Sequence, residues 1–295
     1  MNTADHDVFV YLLIDNGMLH GLSAGYSEVD SQNRPSWLAP IYADHALAVS
    51  PFLVDVEAAY KAGDIDRVMA FLNARRPGLH VSLIETGLYL EQIAWHLRRF
   101  IFILDPHGRQ FTLRYADCAV LAPLSSLLTT TQWATMKGPI TRWGIHDRSG
   151  AIVQLPAAEP NAAEPTPFCL DHDQVAALDE ISEPDHYVAK VETMRNGAAL
   201  PGNTEERHAW ARAARQAWRA ADNPNPLVLL FLTEAALFTQ GEILRRPEVQ
   251  TLLKMDEASA FRNKLRELAK DMRERRRWAS PAGTAAGESD ADILF

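Results

Sequence analysis

Four groups of residues in this chain bring reactive side chains together at suggestive intervals. GLSAG (21–25) fits the GxSxG pattern of a nucleophile elbow around Ser23. An elbow needs a strand, a sharp turn at the serine and then a helix. Here NGMLH separates Ser23 from the nearest strand-like run and YSEVDSQNRPS comes after it, so a loop is predicted, with a Ser23 hydrolase as the alternative. The second group is HLRRFIFILDPHGRQFTLRYAD (96–117), which crowds Arg98, Arg99, Arg114, Tyr115 and Asp117 around one turn. Those charges are either an anion-binding site, catalytic or not, or an internal ion-pair network that locks a helix to a hairpin. The third is DHD (171–173), a helix cap or a weak metal site. The fourth is the set of ten histidines, which contains no HExxH and no HxH. Neither GxGxxG after the first strand nor GxxxxGK[ST] occurs. No metal, no cofactor and no catalytic constellation is therefore expected.

The scaffold around these residues can be read from periodicity. VFVYLLID (8–15) is almost continuously apolar, as a strand buried on both faces should be. WLAPIYA and FLVDV are short extended pieces separated by Pro40 and Pro51. Ile65, Val68, Met69 and Leu72 share one side of a predicted helix, and HVSLIET (80–86) reads as a strand. Leu90, Ile93, Ala94 and Leu97 form the apolar stripe of the helix that enters the charged hairpin, whose turn DPHGR has Pro106 and Gly108. CAVLAPLSSLL is a short helix, and ITRWGIHD–RSG–AIVQLP a final hairpin.

Composition shifts at PAAEPNAAEPTP (156–167), which reads as a linker. Beyond it the pattern is helical. SEPD (182–185) predicts a helix start with Ser182 as N-cap. Trp210, Ala214, Ala217, Trp218 and Ala221 share one helix face, and Arg212, Arg215 and Arg219 another. Phe261, Leu265, Leu268 and Met272 line a basic last helix. The expected fold class is α+β or α/β: an N-terminal mixed β-sheet domain with packed helices (1–156), a linker (157–167), an all-α C-terminal domain (168–280) and an acidic tail (281–295).

Charge narrows the partners. The net charge of −9 disfavours nucleic acid. Residues 262–278 nevertheless carry eight Lys/Arg against three Asp/Glu, a basic helix open to an acidic partner. The first apolar run is too short for a membrane span or a signal-peptide core, and the two cysteines, Cys118 and Cys169, form no CxxC, so a cytoplasmic location is expected.

Taken in order, YLLIDNG, SPFLVDV, HLRRFIFILDPHGRQFTLRYAD and MKGPITRW resemble the conserved adaptor domain of type VI secretion systems, a family long catalogued as a domain of unknown function. The four motifs lie at Leu13–Gly17, Ser50–Val54, His96–Leu121 and Gly138–Trp143, and the resemblance covers about residues 8–143. The family's FRYYDP reads LRYADC here, with Ala116 and Cys118 in place of a tyrosine and a proline. The resemblance implies a non-enzymatic adaptor-chaperone that binds a cognate toxic effector and loads it onto the valine-glycine-repeat spike protein. On that reading the hairpin charges hold the scaffold, and Trp210, Arg212, Arg215, Trp218 and Arg219 supply partner anchors. Both tryptophans have the alternative of packing against sibling helices. Arg275 and Arg276 would steer an acidic effector segment, or sit in a solvated helix end. The rival reading is a small hydrolase or anion-binding enzyme using Ser23 or Arg98/Arg114.

Overall fold

The run FVYLLI forms strand β1 (Phe9–Ile14), and it is apolar nearly throughout because two cores claim its two faces. Tyr11 and Leu13 join one cluster, and Leu12 and Ile14 the other. The computed structural model describes residues 8–19, 34–42, 44–159 and 164–279, without the side chains of 44, 45, 48 and 273–279.

Strands β2 (Leu38–Pro40) and β3 (Phe52–Asp55) are the two extended pieces around Pro40 and Pro51. Asp55 ends β3 and accepts a hydrogen bond from the Ala58 N–H, which starts helix α1 (Val56–Lys61). Helix α2 (Ile65–Leu72) comes next and buries Val68 and Phe71, whereas Met69, expected on its inner side, is exposed. Then come β4 (Val81–Thr86), α3 (Leu90–Arg98), the hairpin of β5 (Phe102–Leu104) and β6 (Gln110–Thr112), α4 (Cys118–Leu127) and α5 (Thr130–Lys137). The second hairpin is β7 (Ile140–His146) and β8 (Ile152–Gln154). Six strands pair in the order β2-β3-β1-β4-β7-β8, each pair antiparallel, with Leu12 opposite Val54 on one side and Leu83 on the other. Antiparallel pairing throughout this sheet makes the domain α+β.

The chain divides into Met1–Ser182 and Glu183–Phe295, not at the expected linker. The reason is that the segment beyond the linker folds back onto the first unit. Strand β9 (Phe168–Cys169) pairs in parallel with β5, Ile103 opposite Phe168, and completes a small mixed sheet. Phe168, Leu170, Val175 and Leu178 pack into the first unit's main core. Described residues on either side of the linker's centre are tied down: Lys137 Nζ donates to the Pro156 carbonyl at 2.8 Å and the Glu164 N–H to Thr135 Oγ1 at 2.8 Å.

Ser182 does not start a helix. Helix α6 (His172–Met194) runs through it with Pro184 inside, and Ser182 Oγ donates back to the Leu178 carbonyl. The start lies at DHD, where Asp171 accepts from the Gln174 N–H and Gln174 Oε1 accepts from the Asp171 N–H. Of the two readings of DHD, the cap is the one realised.

The second unit contains α7 (Thr204–Ala220), α8 (Pro226–Phe238), α9 (Pro247–Leu252) and α10 (Ala258–Ala279). Asn203 and Asn225 cap α7 and α8, with Pro226 opening the latter. Ala214, Phe261, Leu265 and Met272, from the stripes read from sequence, form its core with Val228 and Leu232 of α8. Trp210 sits between two glycines. A Cβ at Gly202 would lie 2.5 Å from its Cη2 and one at Gly241 2.8 Å from its Cδ1, and both glycines have positive φ, +75° and +77°.

Candidate partner-binding cleft

Four separated segments wall one open cleft of about 740 Å³ in the first unit. Asp15 and Gly17 come from the end of β1 and the turn after it. Tyr42, Ala46, Val49 and Pro51 come from the β2–β3 connection. Ile101 and Phe102 lead into β5, and Thr112, Arg114 and Ala116 leave β6. Apolar side chains make most of the wall, with Phe102 and Val49 exposed at 44% and 58%.

Each wall is held by a specific contact. The Asp15 N–H donates to the His80 carbonyl, and its buried carboxylate accepts from Arg114 Nη2 at 2.7 Å. Gly17 lets the chain pass that carboxylate, since a Cβ there would lie 3.1 Å from Asp15 Oδ1. Ser50 Oγ accepts from the Ile41 and Tyr42 N–H groups and donates to the Pro51 carbonyl. From α3, Arg98 Nε donates to the Ile41 carbonyl at 3.1 Å and Nη2 to that of Pro40 at 2.9 Å. Arg98 therefore sets the strand end from which Tyr42 projects.

Electrostatics at the cleft stem from that arrangement. Burial, and next the Asp15 charge, push the Tyr42 hydroxyl above its ordinary pKa of 10.0. Burial would lower the Arg114 pKa, but Asp15 outweighs it, with Asp117 and Tyr42 adding, so the net direction is upward. The guanidinium stays charged and about half exposed. An apolar cleft with one fixed cation can hold an apolar side chain or a peptide segment and orient a carboxylate beside it.

The charged hairpin thus resolves into separate tasks. Arg98 clamps β2, and Arg114 pairs with Asp15. Arg99 lies over the Phe100 ring, 5.6 Å from its centroid. Tyr115 is fully buried and donates to the Leu97 carbonyl at 2.9 Å; burial drives its pKa well above the usual tyrosine range. Asp117 accepts from the Ala119 N–H and caps α4. The turn is pinned by Asp105, which accepts from the His107 and Arg109 N–H groups and from Arg109 Nε. Only Arg114 of the five lines the cleft.

The other sequence candidates scatter. Arg215 does not share a solvent face with Arg212 and Arg219: it is 1% exposed and its Nε donates to Glu183. The α7 helix turns residue 215 inward beside Ala214, and the carboxylate from α6 meets it. Trp210 and Trp218 are half-buried against the helical core, Trp218 Nε1 donating to the Asn225 carbonyl at 3.1 Å. Arg212 and Arg219 are exposed. Ser23 lies outside the described residues, and so do the side chains of Arg275 and Arg276, whose backbone continues α10.

Sequence reasoning missed Asp15, Tyr42, Ile101 and Phe102 as cleft residues. Asp15 stood within the quoted YLLIDNG, and an acid ending a buried strand was the available signal. Nothing local marks Tyr42 or Phe102, because their role depends on which loops meet.

With the cleft described, comparison places the segment that builds it. Residues 10–135 match the family model described as Domain of unknown function (DUF4123), a span from β1 into α5 that is less than half of the chain. Neither the curated proteins nor the solved structures contain a match. Among the described residues no helix is long and apolar enough to cross a membrane, and no group of three or more His, Cys, Asp or Glu is arranged to hold a metal ion.

Proposed function

We propose that this protein is an adaptor-chaperone that binds a cognate type VI secretion effector and helps load it onto the spike protein in the cytoplasm of the producing cell. The observation that carries this reading is the convergence of three separated motifs, YLLIDNG, SPFLVDV and HLRRF…RYAD, on one apolar cleft. These are the motifs of the adaptor resemblance, and the family match at 10–135 falls within the same stretch. Tyr42, Phe102 and Arg114 give the cleft the aromatic and arginine character of protein-interface anchors. The scaffold charges are spent on carbonyls, caps and Asp15. In this reading the helical unit from Glu183 adds partner specificity.

The test is co-expression of the full chain with the products of its neighbouring genes, followed by affinity capture. A toxin-like neighbour and a spike protein are expected to co-purify. Phe102→Asp is expected to abolish capture of at least one of them with the thermal midpoint unchanged, since Phe102 is exposed. Absence of any complex would overturn the proposal, as would substrate turnover by the purified chain that a single side-chain change eliminates.

A further inference from the structure

In the second unit, the groove between α8 and α10 holds a charge arrangement that its own residues do not satisfy. Glu234 of α8 is 2% exposed, and its one ion-pair contact among the described residues, with Arg262 Nη2, is loose at 3.6 Å. Glu234 Oε1, Arg262 Nε and Arg266 Nε are buried without a hydrogen-bond partner among the described residues. Arg262 lies over the Phe231 ring, 4.6 Å from its centroid. Arg266, one turn further along α10, is half-buried and has no hydrogen bond or ion pair among the described residues. Its pKa is lowered, first by burial and then by repulsion from Arg262, with Arg195 adding and only Glu234 opposing. Arg195 in turn lies over the Phe238 ring, 5.1 Å from its centroid.

An arginine whose buried Nε has no partner, one turn from a second arginine in the same state, weakens the fold that carries it. Local conflicts of this kind are expected at functional or strained sites. We infer that Arg262 and Arg266 form a docking shelf for an acidic segment of a partner protein, whose carboxylates replace the missing counter-charge. Three features favour carboxylates on a peptide over a nucleic acid. The net charge of −9 repels a polyanion at long range. Glu234 lines the same groove, so the local positive excess is small and suits a few carboxylates at its surface better than a run of phosphates. The Phe231 ring beside the shelf offers contact to apolar residues that flank an acid. The inference relies on the adaptor reading only for what supplies the acidic segment; the shelf itself stands on geometry.

The experiment uses the full chain and a fluorescein-labelled Glu-Glu-Phe-Glu-Glu peptide, followed by anisotropy at two salt concentrations. Saturable binding that weakens with salt is expected. Arg262→Gln and Arg266→Gln should each weaken it by about tenfold, whereas Lys264→Gln, exposed on another face of α10, should not. Arg266→Gln should also keep or raise the thermal midpoint, because it removes a repulsion. Absence of saturable binding overturns the inference, as does an equal loss with Lys264→Gln or a lowered midpoint in Arg266→Gln. Single-stranded DNA that binds as tightly with the same arginine dependence overturns the choice of ligand. A failed peptide titration beside a successful capture of neighbouring gene products would sink the shelf and leave the adaptor reading standing.

Discussion

Arg114 donates to Asp15 at 2.7 Å across 99 residues of chain, and it joins the hairpin that leaves β6 to the end of the central strand. The partners differ in exposure: Arg114 is 52% exposed and Asp15 5%. Removing the arginine strands a buried carboxylate, whereas Asp15→Asn keeps an acceptor in place. Arg114→Met is therefore expected to cost about 1–3 kcal/mol, and Asp15→Asn less. Urea unfolding of both variants and of the double mutant measures the coupling, and equal losses for the two single changes would contradict the asymmetry.

Ser50 makes a second prediction. Its hydroxyl satisfies the Tyr42 N–H while binding the Pro51 carbonyl, and the residue is buried. Ser50→Ala is expected to cost about 1–3 kcal/mol. Because Tyr42 and Pro51 both line the cleft, the same variant should also weaken partner capture, in contrast to Phe102→Asp, which should abolish capture with the midpoint unchanged. Thermal unfolding beside capture separates the two.

Acid should destabilise the fold in two steps. Burial lowers the pKa of His80 and His96 from the ordinary 6.5, although each ring Nε2–H donates to a backbone carbonyl, that of Phe71 and that of Met136. Above 6.5 both folded and unfolded states hold neutral rings and nothing is lost. As pH falls through 6.5 the unfolded chain takes up protons that the fold refuses, so stability declines. Asp105 and Asp147 have folded pKa values below 3.8, and their contribution goes only in more acid solution. The thermal midpoint should be flat between about pH 7 and 8, then fall as the pH drops below 6.5. His96→Gln should flatten that fall; an unchanged slope would assign it elsewhere.

Arg215 and Arg212 lie three residues apart on α7 and should behave as opposites. Arg215→Ala removes a buried guanidinium and its Glu183 pair, with an expected loss of about 3 kcal/mol or more. Arg212→Ala, on the exposed face, should stay within about 0.5 kcal/mol. Chemical denaturation of the two variants decides whether a binding defect in Arg215→Ala is anything other than unfolding.

Strands β1 and β4, helices α2 and α3 and the two hairpins were legible because each has a local cause: a two-sided apolar run in β1, an i, i+3, i+4, i+7 stripe in α3, turn chemistry at DPHGR; β9 and the start of α6 at Asp171 were not. The unit boundary was not, because PAAEPNAAEPTP looks like a spacer until Phe168 is seen to pair with Ile103. Arg215 misled for a related reason. Its spacing with Arg212 and Arg219 suggests one face, and only the carboxylate of Glu183 on another helix shows that residue 215 turns inward. The cleft was half legible: Arg114 stood out by charge, but Asp15, Tyr42 and Phe102 meet it only through long-range pairing.

The cleft's walls come from near residues 15, 42–51, 101 and 114, so no short fragment of the first unit contains it. Its grip is consequently a property of the folded first unit: a chain opened at the β5–β6 hairpin offers a partner nothing to hold. Whatever binds there selects copies whose first unit is folded and, by mass action, protects that unit from unfolding. Under the adaptor proposal, occupancy of this cleft would act as an inspection step, registering that the first unit has folded before a partner is engaged.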